Sequence, residues 1–278
     1  MSIPNFAFSV RVGYKSGMAT RVGRLGSISL RATILLALWL SAAPANVVSA
    51  SLPRPLAVSV LYDGALNTGT PDTQGFIYLT QPPSGARATQ AFASPAAILD
   101  TTPQMSDYAG YFAKPMGYAP LDRVGGYQVL FTMQVLSETH ASNDRAGFSV
   151  LVTSSDKRGI ELGFWENEVW AQEGGSINPF THAEGAAFNT TSDLIAYCLT
   201  VMGDRYTLAA NGSTVLAGPL RDYTLAPAPP LPINPYTTAN LIFLGDDTSA
   251  AQARIKLRYA AAINAPPFNM YLPLMSKN

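Results

Sequence analysis

The sequence predicts an all-β protein, an antiparallel sandwich or barrel, behind an N-terminal export signal. Three observations carry this prediction. Apolar and polar residues alternate with period two along much of the chain after residue 50, the pattern of a strand with one buried face. Read this way, the chain holds about ten to twelve short strands at regular spacing, with no helices between them. Turns are well supplied, with 22 Gly and 21 Pro among 278 residues.

The first fifty residues stand apart. They carry Arg11, Lys15, Arg21, Arg24 and Arg31 and no acidic residue, then the apolar run Ala32–Leu40, then small residues at Ala43-Pro44-Ala45 and Val48-Ser49-Ala50. A basic front, a short apolar core and an A-x-A-like end describe a secretory signal peptide, helical in its apolar core, spanning residues 1–50. The apolar run falls short of the about 20 residues that a membrane span needs, and no second apolar segment of spanning length follows.

The whole chain has 18 basic and 18 acidic residues. Without the signal, 13 basic face 18 acidic, a net charge of −5. An acidic secreted domain has no electrostatic attraction for nucleic acid or anionic lipid. One cysteine makes no internal disulfide. The domain must therefore rest on its own core, which about 220 residues can supply.

The strands follow in order. Gly75–Thr80 is a candidate, closed by a turn at Pro82-Pro83-Ser84-Gly85, and Ala97–Asp100 is shorter. Tyr127–Leu136 is the longest, with Val129, Phe131, Met133 and Val135 on one face. Gly147–Thr153 alternates again. In Gly159–Gln172 a two-residue turn at Glu166-Asn167 pairs Gly163 with Trp170 and Glu161 with Gln172. A meander follows from Ala196 to Ala217, turning at Gly203 and at Asn211-Gly212, where Asn-Gly suits positive φ angles. The Pro-rich stretch Ala226–Pro235 cannot sustain a ladder and is a connection. Leu241–Leu244 is wholly apolar and reads as a central strand or one buried on both faces. Arg254–Ile263 alternates, with Ile255, Leu257 and Tyr259 inward. No internal repeat breaks residues 51–264, which read as one domain, and 265–278 is a short tail.

Several stretches resemble the concanavalin A-like lectin/glucanase group, more narrowly the laminin-G-like jelly-roll domains of secreted bacterial proteins. They are LYDGALNTGTPDTQGFIYL (61–79), RAGFSVLV (145–152), GIELGFWENEVWAQ (159–172), YTLAANG (206–212), LRDY (220–223) and LIFLGDDTSAAQARIKLRY (241–259). The resemblance implies a jelly-roll β-sandwich. It implies recognition, adhesion or glycoside hydrolysis without choosing among them, because fold does not carry function.

The residues weigh these readings. In the hairpin, Ile160, Leu162, Phe164, Val169 and Ala171 share the core face. Glu161, Gly163, Trp165, Trp170 and Gln172 share the other. Two indoles, a carboxylate and an amide suit a sugar, whose apolar face stacks on rings while its hydroxyls need donors and acceptors. Glu161, Trp165, Trp170 and Gln172 are therefore the candidate ligand platform; the competing reading is that the tryptophans fill a second layer, under the Pro-rich loop or beside the other sheet.

Hydrolysis is the alternative. Laminarinase-like enzymes carry Glu-x-Asp-x-x-Glu, and Glu161 and Glu166 match its outer spacing, but Gly163 replaces the Asp. The odd offset also sends the two carboxylates to opposite faces. Asp246 and Asp247, in an acidic turn after a buried strand, are candidate calcium ligands, with Asn143-Asp144-Arg145, before the Gly147 strand, a weaker second candidate. His140 and His182 read as polar loop residues, and Cys198 as a small buried one. The sequence thus leads to a secreted, non-catalytic module for a glycan or cell-surface partner, with a glycoside hydrolase or a structural, adhesive domain as alternatives.

Overall fold

The computed structural model describes residues 57–175 and 180–264. The predicted signal peptide, the start of the predicted domain and the tail lie outside the described residues. The chain divides into two units, Met1–Ser49 and Ala50–Asn278, and all described residues belong to the second.

The strands among them are β1 (Ala57–Asp63), β2 (Phe76–Gln81), β3 (Thr89–Ala93), β4 (Ala96–Asp100), β5 (Tyr108–Ala113), β6 (Tyr127–His140), β7 (Ser149–Thr153) and β8 (Arg158–Phe164). They continue as β9 (Glu168–Gln172), β10 (His182–Ala187), β11 (Ile195–Met202), β12 (Arg205–Ala210), β13 (Ser213–Pro219), β14 (Arg221–Asp222), β15 (Leu241–Asp246) and β16 (Ala251–Asn264). Two sheets result. One runs β13-β12-β11-β6-β16-β4-β3 with β1 also on β16; the other runs β10-β9-β8-β7-β15-β5-β2 with β14 also on β8. Every paired ladder is antiparallel. This is an antiparallel sandwich, one of the two architectures that the alternation predicts, and it is jelly-roll-like, as the resemblance implies. No helix among the described residues is long and apolar enough to cross a membrane.

The core lies between the sheets. From the first sheet, Val129, Phe131, Met133 and Val135 of β6 point inward. From the second, Ile160, Leu162 and Phe164 of β8 and Val169 and Ala171 of β9 meet them. Phe131 stacks on Tyr197 at 5.0 Å and meets Phe164 edge-on at 5.9 Å. Burying each such ring contributes about 1.5–3 kcal/mol, so the sandwich needs no disulfide.

Local chemistry sets the turns. Asn211 and Gly212 take φ of 48° and 84°, which the tight β12–β13 turn demands and few other residue pairs tolerate. One inward assignment fails. Tyr259 is half-buried on the outward side, and Ala260 and Ala262 enter the core instead. A register shift between Leu257 and Tyr259 inserts one residue against β6 and reverses the phase. Cys198 also differs from expectation. It sits half-buried on the outward row of β11, and burial pushes its thiol pKa up.

The second sheet is apolar on both faces around β15. Ile242 and Leu244 face the main core. Leu241 and Phe243 join Phe112 and Leu151 in an outer cluster capped by Ala226 and Leu231 of the Pro-rich connection and by Tyr223 and Tyr236 on either side of it. That connection is thus a lid on the outer face of the second sheet.

Candidate functional site

The β8–β9 hairpin has the predicted register, with Gly163 opposite Trp170 and Phe164 opposite Val169. Gly163 is needed there, because a Cβ would lie 2.7 Å from the Trp170 ring. The predicted platform does share the outer face, but that face is not open. Glu161, Trp170 and Gln172 are each 1% exposed and Trp165 is 9%. Alternation shows which residues share a face; it says nothing of what the rest of the chain lays over them.

Part of the cover comes from the histidines, which are not free loop residues. His140 ends β6 and stacks on Trp165 at 4.1 Å and 9°. His182 begins β10 and stacks on Trp170 at 4.3 Å and 15°. The indole N–H of Trp165 donates to the carbonyl of Arg145 at 3.0 Å. The amide of His182 donates to Asp144 Oδ1 at 2.8 Å. Ala146 packs between the two indoles and the sheet. The tryptophans therefore hold the segment before β7 and fix Arg145 over the outer face.

Arg145 is the centre of a buried polar network that the sequence does not reveal. Its Nη2 donates to Asp247 Oδ1 at 2.9 Å. Its Nη1 lies 3.4 Å from Gln172 Oε1 and 3.5 Å from Glu161 Oε1. The Tyr236 hydroxyl donates to Asp247 Oδ2 at 2.7 Å, and the Tyr223 hydroxyl donates to the carbonyl of Gln172 at 2.7 Å. Ser149 Oγ reaches Glu161 Oε1 at 3.4 Å. Glu161 Oε2 and Trp170 Nε1 have no hydrogen-bond partner among the described residues. Burial pushes the Glu161 carboxyl up to about 8; Asp247 adds to the rise and Arg145 opposes it. Burial alone would lower the Arg145 guanidinium, but Asp247 and Glu161 outweigh it and raise its pKa.

The network meets solvent at a pocket of about 240 Å³. The rings of Tyr108, Phe180 and Tyr236 and the prolines at 227, 229 and 230 form its walls, with Arg145 and Asp247 as its charged lining. The Arg145 guanidinium lies over the Phe180 ring, 4.6 Å from its centroid, which caps one of its faces.

At the turn predicted to hold calcium, Asp246 and Asp247 are engaged by donors of the protein itself. Asp246 is fully buried, accepting from Thr101 Oγ1 at 2.7 Å and from the Thr248 amide at 3.1 Å. Asp247 serves Arg145 and Tyr236. Calcium prefers six to eight oxygens, whereas these carboxylates already face protein donors. Among the described residues no group of three or more His, Cys, Asp or Glu is placed to hold a metal.

Glu161 and Glu166 do not form a catalytic pair. Glu161 is enclosed, while Glu166 is exposed in the turn, where its Oε1 accepts from the Glu138 amide at 3.2 Å. Retaining hydrolysis needs both carboxyls in one cleft.

No protein-family model matches the chain, and no curated protein matches it. By structure it is similar to a conserved carbohydrate esterase from Shiga toxin-encoding bacteriophage phi24B. The TM-score is 0.51 at 14% identity, over 75% of this chain and 100% of that one. A family 7 alginate lyase, A1-II', gives TM-score 0.43 at 11% identity, over 65% of this chain and 83% of that one. The exoplasmic/lumenal domain of VIP36 in its Ca2+/Man-bound form gives 0.41 at 9%, over 73% and 86%. The first likeness supports the sandwich fold, and the other two are too distant to carry an argument.

Proposed function

We propose that this protein is an exported, non-catalytic carbohydrate-recognition domain, and that its site is the pocket beside Arg145. The observation that carries the reading is the juxtaposition in one recess of aromatic and proline surface with fixed polar groups. Tyr108 and Phe180 offer rings to the apolar face of a sugar, while the exposed Ser249 offers a hydroxyl to its polar edge. Sites for drug-sized ligands run to about 300–1,000 Å³, so about 240 Å³ suits a single sugar ring or chain end.

In this reading the residues that the sequence nominates act one layer beneath the ligand. Trp165 and Trp170 seat the Arg145 segment, and Glu161 and Gln172 fix the guanidinium. Rigid backing of this kind lowers the entropy that binding must overcome. The basic, apolar start of the chain supports export, and glycans outside the cell are the partners that this placement offers.

A glycan array probed with the full chain tests the proposal. Retention of at least one saccharide is expected, lost in Tyr108→Ala and Phe180→Ala while far-UV circular dichroism stays that of the parent. An array with no retained glycan would overturn it, and so would pocket variants that bind as well as the parent.

A further inference from the structure

Among the described residues the pocket lining contains one cation, Arg145, and it is already paired with the Asp247 carboxylate. Arg145 directs Nη2 to Asp247 and Nη1 toward Glu161 and Gln172, and one face of its guanidinium is closed by Phe180. Its side chain is 11% exposed, and the two carboxylate side chains are 1% and 0% exposed. The charge is thus turned inward, and two carboxyl groups surround one guanidinium. Asp247 apart, the remaining lining is rings, prolines, an alanine, a threonine and a serine, none of which brings a positive charge.

We propose that this pocket selects uncharged saccharides and discriminates against acidic ones such as uronates and sialosides. The inference rests on the glycan reading above and names the class of ligand for that site. An incoming carboxylate gains no bidentate contact here, because Arg–carboxylate recognition needs two free donors of one fork. It also approaches the Asp247 carboxylate of the pocket lining, where low dielectric magnifies like-charge repulsion. The field of the whole domain has the same sign, since residues after 50 carry net charge −5. A neutral ring has no such cost. Its hydroxyls can bond the exposed Ser249 hydroxyl while its C–H face meets Tyr108 and Phe180. Glu161 strengthens the effect with pH: raised to about 8 by burial, it adds a second negative charge as it ionises, so discrimination grows on the alkaline side.

The test compares the full chain on neutral oligosaccharides (gluco-, manno- and N-acetylglucosamine oligomers) with oligouronates and sialylated oligosaccharides, at low and physiological ionic strength. At least tenfold weaker binding of every acidic probe than of the best neutral one is expected, with the gap narrowing as salt rises. Asp247→Asn should narrow the gap. Ser249→Lys at the exposed rim should do the same without touching the buried network, and it decides the matter if Asp247→Asn fails to fold. Acidic probes bound as tightly as neutral ones would overturn the selectivity and leave the glycan reading standing. Unchanged discrimination in a folded Ser249→Lys chain would overturn the electrostatic cause. No binding to any probe would overturn the glycan reading and the selectivity with it.

Discussion

The two faces of the β8–β9 hairpin are both buried, but by different means. The inner face offers Ile160, Leu162, Phe164, Val169 and Ala171, and an opposing sheet of similar residues closes over them. The outer face offers Glu161, Gly163, Trp165, Trp170 and Gln172. It is closed by two histidine rings, an arginine-bearing segment and a proline-rich lid, each drawn from a different part of the chain. Apolar burial is non-directional and survives small errors of shape. The outer face depends on directed contacts among Arg145, Glu161, Gln172, Asp247 and Tyr236, and directed contacts fail when one partner is removed.

The largest effects should test whether the two faces matter equally. Phe164→Ala is expected to cost about 3–5 kcal/mol by opening a core cavity. Arg145→Met is expected to cost about the same, because it leaves buried carboxyl groups without their cation. Urea denaturation of the full chain measures both. A loss below ~1 kcal/mol for Arg145→Met would show that the outer network is incidental.

Next in size is Gly163→Ala. Its new Cβ would sit 2.7 Å from the Trp170 ring on the outer side, so a loss of about 1–3 kcal/mol is expected. A shift in tryptophan emission should accompany it, and an unchanged spectrum would argue against the close approach.

The pH dependence sharpens the comparison. The folded chain keeps Glu161 protonated up to about 8, well above the ordinary 4.5 of the unfolded chain. Between those values the folded state binds the extra proton, so the contribution of Glu161 to stability declines as pH rises. Below 4.5 both states hold the proton, and above about 8 neither does. The slope can reach about 1.4 kcal/mol per pH unit. Melting temperatures followed from pH 5 to 8 should fall less steeply for Glu161→Gln than for the parent; identical slopes would remove Glu161 as the cause.

The smallest effect belongs to the turn of the same hairpin. Glu166 is exposed and accepts one long amide hydrogen bond, at 3.2 Å. Glu166→Gln should shift stability by no more than ~0.5 kcal/mol. It should also leave any glycan binding unchanged, whereas a hydrolytic role for this residue would require a loss of turnover.

Much of the scaffold is legible in the sequence because strand structure is local. The β8–β9 register follows from alternation and a two-residue turn, and Asn211-Gly212 names its own φ angles. The phase of β16 beyond Leu257 is not legible, since the residue inserted opposite β6 depends on pairing with a strand more than a hundred residues earlier. The site is legible only in part. Trp165, Trp170, Glu161 and Gln172 can be placed on one face, yet Arg145, Tyr236 and the two histidines give no signal. No spacing rule joins residues 140, 145, 161, 182, 236 and 247.

By itself, then, the sequence determines the two-faced strands, the turns between them and the excess of acidic over basic residues after residue 50. These follow from side-chain periodicity, backbone preference and charge, all of which act over a few residues or by simple summation. Only the tertiary structure decides that the indole face is enclosed and that the proline-rich connection is a lid. It also decides that Arg145 is held between Glu161 and Asp247 and that a pocket remains at their margin. Those outcomes depend on which distant segments meet, and burial and dielectric are properties of that meeting.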